Sequence, residues 1–122
     1  MKKLYLLITL ISTFSFALNL TPSSFNGIIN KKGIVLVKFW APWCAPCRLL
    51  KPEFERAKEL VGSRALMASY NVDLRGEALK KYNINTIPTM ILFENGKEID
   101  RHKSFLNSKD IAEWVLGYVP IK

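Results

Sequence analysis

Cys44 and Cys47 are the two cysteines of the chain, and they stand three positions apart in Trp43-Cys44-Ala45-Pro46-Cys47. Two thiols at that spacing can close a small disulfide ring. A helix expected from about Cys44 places the first sulfur at a helix N-terminus, whose partial positive charge favours a thiolate. Cys44 then lies on the exposed turn and Cys47 one turn inside. The first is the natural attacker and the second the resolver of a mixed disulfide, the division of labour that thiol–disulfide exchange requires. Pro46 removes a backbone donor and stiffens the ring. The same pair could instead be half of a metal site, but a closed site needs further ligands and His102 is the single histidine. A two-thiolate copper carrier needs only the pair. Two cysteines are too few for a disulfide framework or a four-thiolate zinc site.

A second feature is Asn85-Thr86-Ile87-Pro88-Thr89. Pro88 opens an apolar run, and a proline, having no N–H to give a ladder, belongs at a strand's first residue. Taken alone, its peptide bond reads as trans, since only ~5% of X–Pro bonds in folded proteins are cis.

The elements that must position these residues follow in alternating order. Leu18-Asn19-Leu20 is a brief edge strand. Thr21 as N-cap, with Pro22 at the first helical position, opens a short helix to about Asn30. Residues 34–40 form an apolar, β-branched and aromatic run that suits a central parallel strand, broken by Lys38. A helix from about Cys44 to Val61 carries Leu49, Leu50, Phe54, Ala57, Leu60 and Val61 on one face, with Pro52 expected to kink it. Residues 65–72 form an interior strand, and Asp73 caps a short helix through Tyr82. Residues 89–93 form a third strong strand. Asn95-Gly96 makes a hairpin turn to a return strand over 98–104. Asn107 or Ser108 caps a last helix with Ile111, Trp114, Val115 and Tyr118 inward. The order β-α-β-α-β-α-β-β-α gives an α/β fold, a mixed sheet with parallel central strands and helices on both faces.

The chain has 122 residues, room for one domain. Its net charge is +8, two units of it from Lys2 and Lys3, and no basic run exceeds two residues, so acidic partners are favoured but no nucleic-acid signature appears. Met1-Lys2-Lys3, an apolar run over 4–11 and small Ser15 and Ala17 form the three parts of a signal peptide cleaved after Ala17. The apolar run is short for a membrane span of ~20 residues; an uncleaved anchor is the alternative, and contact with a membrane is expected only in that case. Residues 18–122 are then the folded domain, exported to a compartment that permits disulfide chemistry, such as a bacterial periplasm.

Together, Phe39 to Arg48 with the Cys44/Cys47 pair, Pro52, Thr86-Ile87-Pro88-Thr89 and Phe93 to Lys97 closely resemble the thioredoxin family, with no sizeable insertion across 18–122. The resemblance implies a thioredoxin fold and a redox disulfide between Cys44, as nucleophile, and Cys47, as resolving thiol. It implies a cis Ile87–Pro88 bond beside the disulfide, with Thr86, Ile87, Pro88, Trp43 and Ser104 around an extended substrate segment. With the signal segment, it implies a thiol:disulfide oxidoreductase acting outside the cytoplasm on protein cysteines without a bound cofactor or metal, reset by a membrane or soluble redox partner. The reductase-like direction is favoured, with an oxidant or isomerase as the alternative and a non-catalytic scaffold as a third reading. Three departures from the family pattern stand out. Ala45 replaces a usual glycine beside the reactive sulfur. Ser104 stands where a groove glycine is usual. Lys38 occupies the place of a buried acid, with Ser69 where a lysine is frequent. Lys38 could be a neutral base, a charge that favours thiolates, or a side chain that reaches water and does neither.

Overall fold

The computed structural model describes residues 18–121; the expected signal segment, 1–17, lies outside the described residues. Five strands, β1 (Asn19–Leu20), β2 (Ile34–Trp40), β3 (Leu66–Asn71), β4 (Thr89–Glu94) and β5 (Lys97–Lys103), alternate with four helices, α1 (Phe25–Ile29), α2 (Ala45–Val61), α3 (Glu77–Lys81) and α4 (Ser108–Leu116). The strands lie in the order β1-β3-β2-β4-β5. β1 and β2 run parallel to β3, whereas β4 is antiparallel to both β2 and β5. The expected parallel centre therefore holds for β2 and β3 and fails for β4. A strand covered on both faces reads as the same apolar run in either direction.

The period-two alternation of β2 divides the core. Val35, Val37 and Phe39 pack with Phe25, Ile29, Tyr70 and Phe93 on the α1 and α3 face. Ile34 and Leu36 pack with Leu50, Phe54, Val61, Ile111 and Val115 on the α2 and α4 face. Helices thus cover both sides, as the element order requires.

Several local expectations are corrected. On α2 the buried stripe is Cys47, Leu50, Phe54, Ala57 and Val61, while Leu49 and Leu60 are exposed. Each stands one position from the stripe, roughly 100° around the helix. The helix itself continues through Pro52. α1 begins at Phe25 rather than beside Pro22, although Thr21 still caps the turn before it: its Oγ1 accepts from the Ser24 N–H at 3.2 Å, and Ser24 Oγ accepts from the Thr21 N–H at 2.9 Å. Asp73 caps nothing. Asn71 accepts from the Asp73 N–H at 2.9 Å and opens a 3₁₀ turn, Val72–Leu74, after which α3 starts at Glu77. Tyr118 lies beyond α4 and is exposed; its hydroxyl and the Trp114 indole N–H both donate to Asp100 Oδ2, at 2.7 and 2.8 Å. These bonds, Trp114 foremost, hold the Asp100 carboxyl below the usual carboxylate range.

Asn107 caps α4 by accepting from the Asp110 N–H at 2.8 Å. Glu53 Oε1 accepts from the Ser108 N–H at 3.0 Å and ties α2 to α4. The β4–β5 turn, Asn95-Gly96, has φ of 50° and 83°, the left-handed pair a tight hairpin needs, and any side chain at Gly96 would collide with Asn30.

Candidate active site

β2 and β3 deliver the chain to one end of the sheet, and α2 starts there. Cys44 is the N-cap of α2, with an extended backbone, and its Sγ accepts from the Cys47 N–H at 3.3 Å. Pro46 sits in the first turn, where a missing N–H costs nothing. Arg48 closes the loop by donating to the Pro42 carbonyl at 3.1 Å. Cys44 and Cys47 form a disulfide with Cα atoms 5.2 Å apart. Cys44 keeps 7% of its surface exposed and Cys47 none. Both sulfurs are more enclosed than an exposed turn suggests, because Ala41, Trp40, Val72 and Ile87 pack around them. Any attack on or by this pair must come through Cys44.

The second feature of the sequence meets the first. The Ile87–Pro88 peptide is cis. Cys44 Sγ lies 3.8 Å from the Ile87 carbonyl oxygen, bringing residues 43 positions apart in the chain into contact. The Thr89 hydroxyl donates to the Thr86 carbonyl at 2.7 Å, and the Ser104 N–H donates to the Pro88 carbonyl at 3.0 Å. Among the described residues no backbone bond uses the Ile87 N–H, so it is open to another chain. Trp43, Thr86 and Ile87, with Val72, Ile84 and Asn85, line a shallow groove of ≈ 180 Å³.

Trp43 is 66% exposed, and its indole N–H donates to Asp73 Oδ1 at 2.9 Å. Asp73 is the site residue that the sequence conceals: its carboxylate orients the exposed ring across a gap of 30 residues, and no local spacing announces it. Ala45 and Pro46 are exposed in the first turn of α2. Ser104, the other groove residue, has φ of +99°, a region that penalises a side chain. Ser104→Gly should therefore stabilise the fold by about 1 kcal/mol after allowing for the looser unfolded chain. Urea unfolding checks it, and an unchanged midpoint would mean the backbone bears no strain there.

Among the described residues Lys38 is the one buried cation, 3% exposed. It pairs in register with Ser69 of β3 and Met90 of β4 and points to the α2 side of the sheet, its ammonium 4.7 Å from the Phe54 ring centroid and 5.5 Å from that of Trp40. Burial lowers its pKa from 10.5 to about 8; Glu55 opposes the shift, and Lys51 and Lys58 add to it. Among the described residues no cluster of three or more His, Cys, Asp or Glu could hold a metal ion.

Comparison with known proteins agrees with this geometry. The thioredoxin family model matches residues 16–116. The thioredoxin of Rickettsia bellii is 37% identical over 100 residues, covering 81% of this chain and 95% of that protein. The thioredoxin of Mycoplasma genitalium is 40% identical over 86 residues, 70% of this chain and 83% of that one. A solved mutant thioredoxin from Halobacterium salinarum superposes with a TM-score of 0.77 over 87% of this chain and 93% of that one; at 22% identity the likeness is one of fold.

Proposed function

This chain belongs to the thioredoxin family, a thiol:disulfide oxidoreductase with a redox-active Cys44–Cys47 pair, and we propose that it is an exported protein-disulfide reductase. The observation that carries the reading is the Cys44 sulfur at the N-terminus of α2, 3.8 Å from the Ile87 carbonyl, at the mouth of an open groove. In the reduced protein the Cys44 thiolate attacks one sulfur of a substrate disulfide. A mixed disulfide forms and one substrate thiolate leaves. Cys47 gives up its proton, attacks Cys44 Sγ, and releases the second substrate thiolate. Two electrons pass to the substrate, and a membrane or soluble partner restores the dithiol. The open Ile87 N–H and the carbonyl beside it suit a β-like pairing with an extended substrate segment, while exposed Trp43 supplies an apolar wall.

Export is supported by the cationic, apolar and small-residue parts of 1–17. The reductant direction is supported by likeness to thioredoxins at nearly their full length. One observation favours an oxidant or isomerase instead. A Lys38 that stays charged beneath α2 stabilises thiolates and raises the potential of the couple.

One experiment decides both matters. The protein is recovered from the extracytoplasmic fraction of expressing cells, its N-terminus is sequenced, and it is equilibrated with glutathione buffers. A chain beginning at Leu18 with a potential near about −270 mV is the expected result. Retention of Met1 in the cytosol would overturn export, and a potential of about −120 to −180 mV would overturn the reductase direction.

A further inference from the structure

The end of the domain away from the disulfide is basic and apolar together. β2 and β3 begin there, at Ile34 and Leu66, and α2 ends there, at Val61. A cleft of ≈ 350 Å³ is lined by Lys31, Lys32 and Arg64 with the Gly33 and Gly62 turns. Arg64 also lines an adjoining groove of ≈ 560 Å³ whose other walls are Leu116, Val119, Pro120 and Ile121. No Asp or Glu lines either one. Arg64 is fixed in place, because its Nε donates to the Val61 carbonyl at 3.0 Å and its Nη2 to that of Leu60 at 2.7 Å. Lys31 and Lys32 are exposed and form no ion pair among the described residues. The apolar groove is open to solvent, with Ile121 100% exposed.

Charge and polarity together pick out one occupant: three cations with no carboxylate among the lining residues, beside an apolar groove open to solvent. We propose that this end docks on a membrane surface rich in anionic phospholipid. Lys31, Lys32 and Arg64 meet the phosphates, the apolar groove meets the boundary beneath them, and Cys44 faces away from the bilayer. Fixed cations beside an exposed apolar strip are what an interfacial surface needs. A soluble acidic polypeptide would use the cations but leave the groove open to water. The inference does not depend on the direction of disulfide exchange.

The test compares the exported form that begins at Leu18 with its Lys31→Gln/Lys32→Gln variant by flotation on two vesicle types, phosphatidylcholine with phosphatidylglycerol and phosphatidylcholine alone, at low and high salt. The expected result is tighter binding to the anionic vesicles. In the double variant that binding should fall on the order of 30-fold, at about one kcal/mol per lysine, and high salt should remove it. Both proteins should reduce insulin at the same rate, since neither lysine is near Cys44. Equal binding to both vesicle types would overturn the proposal, because the cations would then contribute nothing to binding. Equal binding of variant and parent to the anionic vesicles would also overturn it. So would lysine-dependent binding to polyglutamate without binding to vesicles, which would assign the surface to an acidic polypeptide.

Discussion

Cys47→Ser, reduced and offered a disulfide-bearing protein, accumulates a covalent complex that resists denaturant and dissolves on adding dithiothreitol; Cys44→Ser forms none. The asymmetry follows from where α2 places its two sulfurs. Cys44 caps the helix and retains some exposed surface, whereas Cys47 is sealed. Only Cys44 can therefore meet a foreign sulfur. Its thiolate is favoured by the helix N-terminus and by the Cys47 N–H that already points at it, 3.3 Å away. With Cys47 replaced, attack proceeds but the resolving thiol is gone, and the mixed disulfide persists. With Cys44 replaced, the hydroxyl in its place ionises far above neutral pH and Cys47 has no route to the substrate. Insulin reduction should fall to the uncatalysed background in both variants. Gel electrophoresis without reductant reads the complex directly. Equal trapping by the two variants would mean that the helix opens enough to expose Cys47, and the assignment of attacker and resolver would fail.

Much of this arrangement is legible in the chain because its signals are local. Cys44 at the start of an apolar-periodic segment announces a helix-capping thiol, and Asn95-Gly96 announces a turn whose two left-handed residues are present. The separation of the core into two clusters follows from the alternation of β2. The misreadings also have physical causes. Leu49 and Leu60 are as apolar as their buried neighbours, so composition widened the stripe that helix geometry keeps narrow. β4 is buried on both faces, and its sense is set by pairing with β2 and β5 rather than by its own residues. Asp73 reads as a cap because carboxylates favour that role, yet Asn71 takes it and leaves Asp73 to Trp43. The cis Ile87–Pro88 bond is visible only through family resemblance; its residues alone favour trans. Pairings across tens of residues leave no periodic trace. The same limit applies to Lys38, whose place in β2 is plain but whose burial depends on Phe54 of another element.

Lys38→Met should raise the unfolding free energy of the disulfide-bonded protein by about 2 kcal/mol at pH 7, with the gain fading as pH rises. In the native state burial lowers the Lys38 pKa to about 8, against 10.5 for an unhindered lysine. Below pH 8 the amine is charged in both states, and the folded state bears the whole cost of desolvating it. Between pH 8 and 10.5 the unfolded chain still holds a proton that the folded protein has released, so stability rises with pH across that window. Above 10.5 the amine is neutral in both states and the penalty is gone. The shift corresponds to about 3 kcal/mol at roughly 1.4 kcal/mol per unit. Loss of the contacts between the ammonium and the Phe54 and Trp40 rings, about 0.5–1 kcal/mol, reduces the gain. Methionine has similar length and no charge, so packing changes little. Urea unfolding of both proteins in oxidised form, at intervals from pH 7 to 11, measures the difference without interference from thiol titration. A gap that stays constant over that range would mean that Lys38 keeps its ammonium hydrated. A gap that closes between 8 and 10.5 would place a costly buried charge on the α2 side of the sheet. A fold that tolerates such a charge gains a field that favours thiolates over thiols at the end of α2. Removing it should make the Cys44–Cys47 couple more reducing, because the dithiolate form loses a stabilising cation while the disulfide loses nothing.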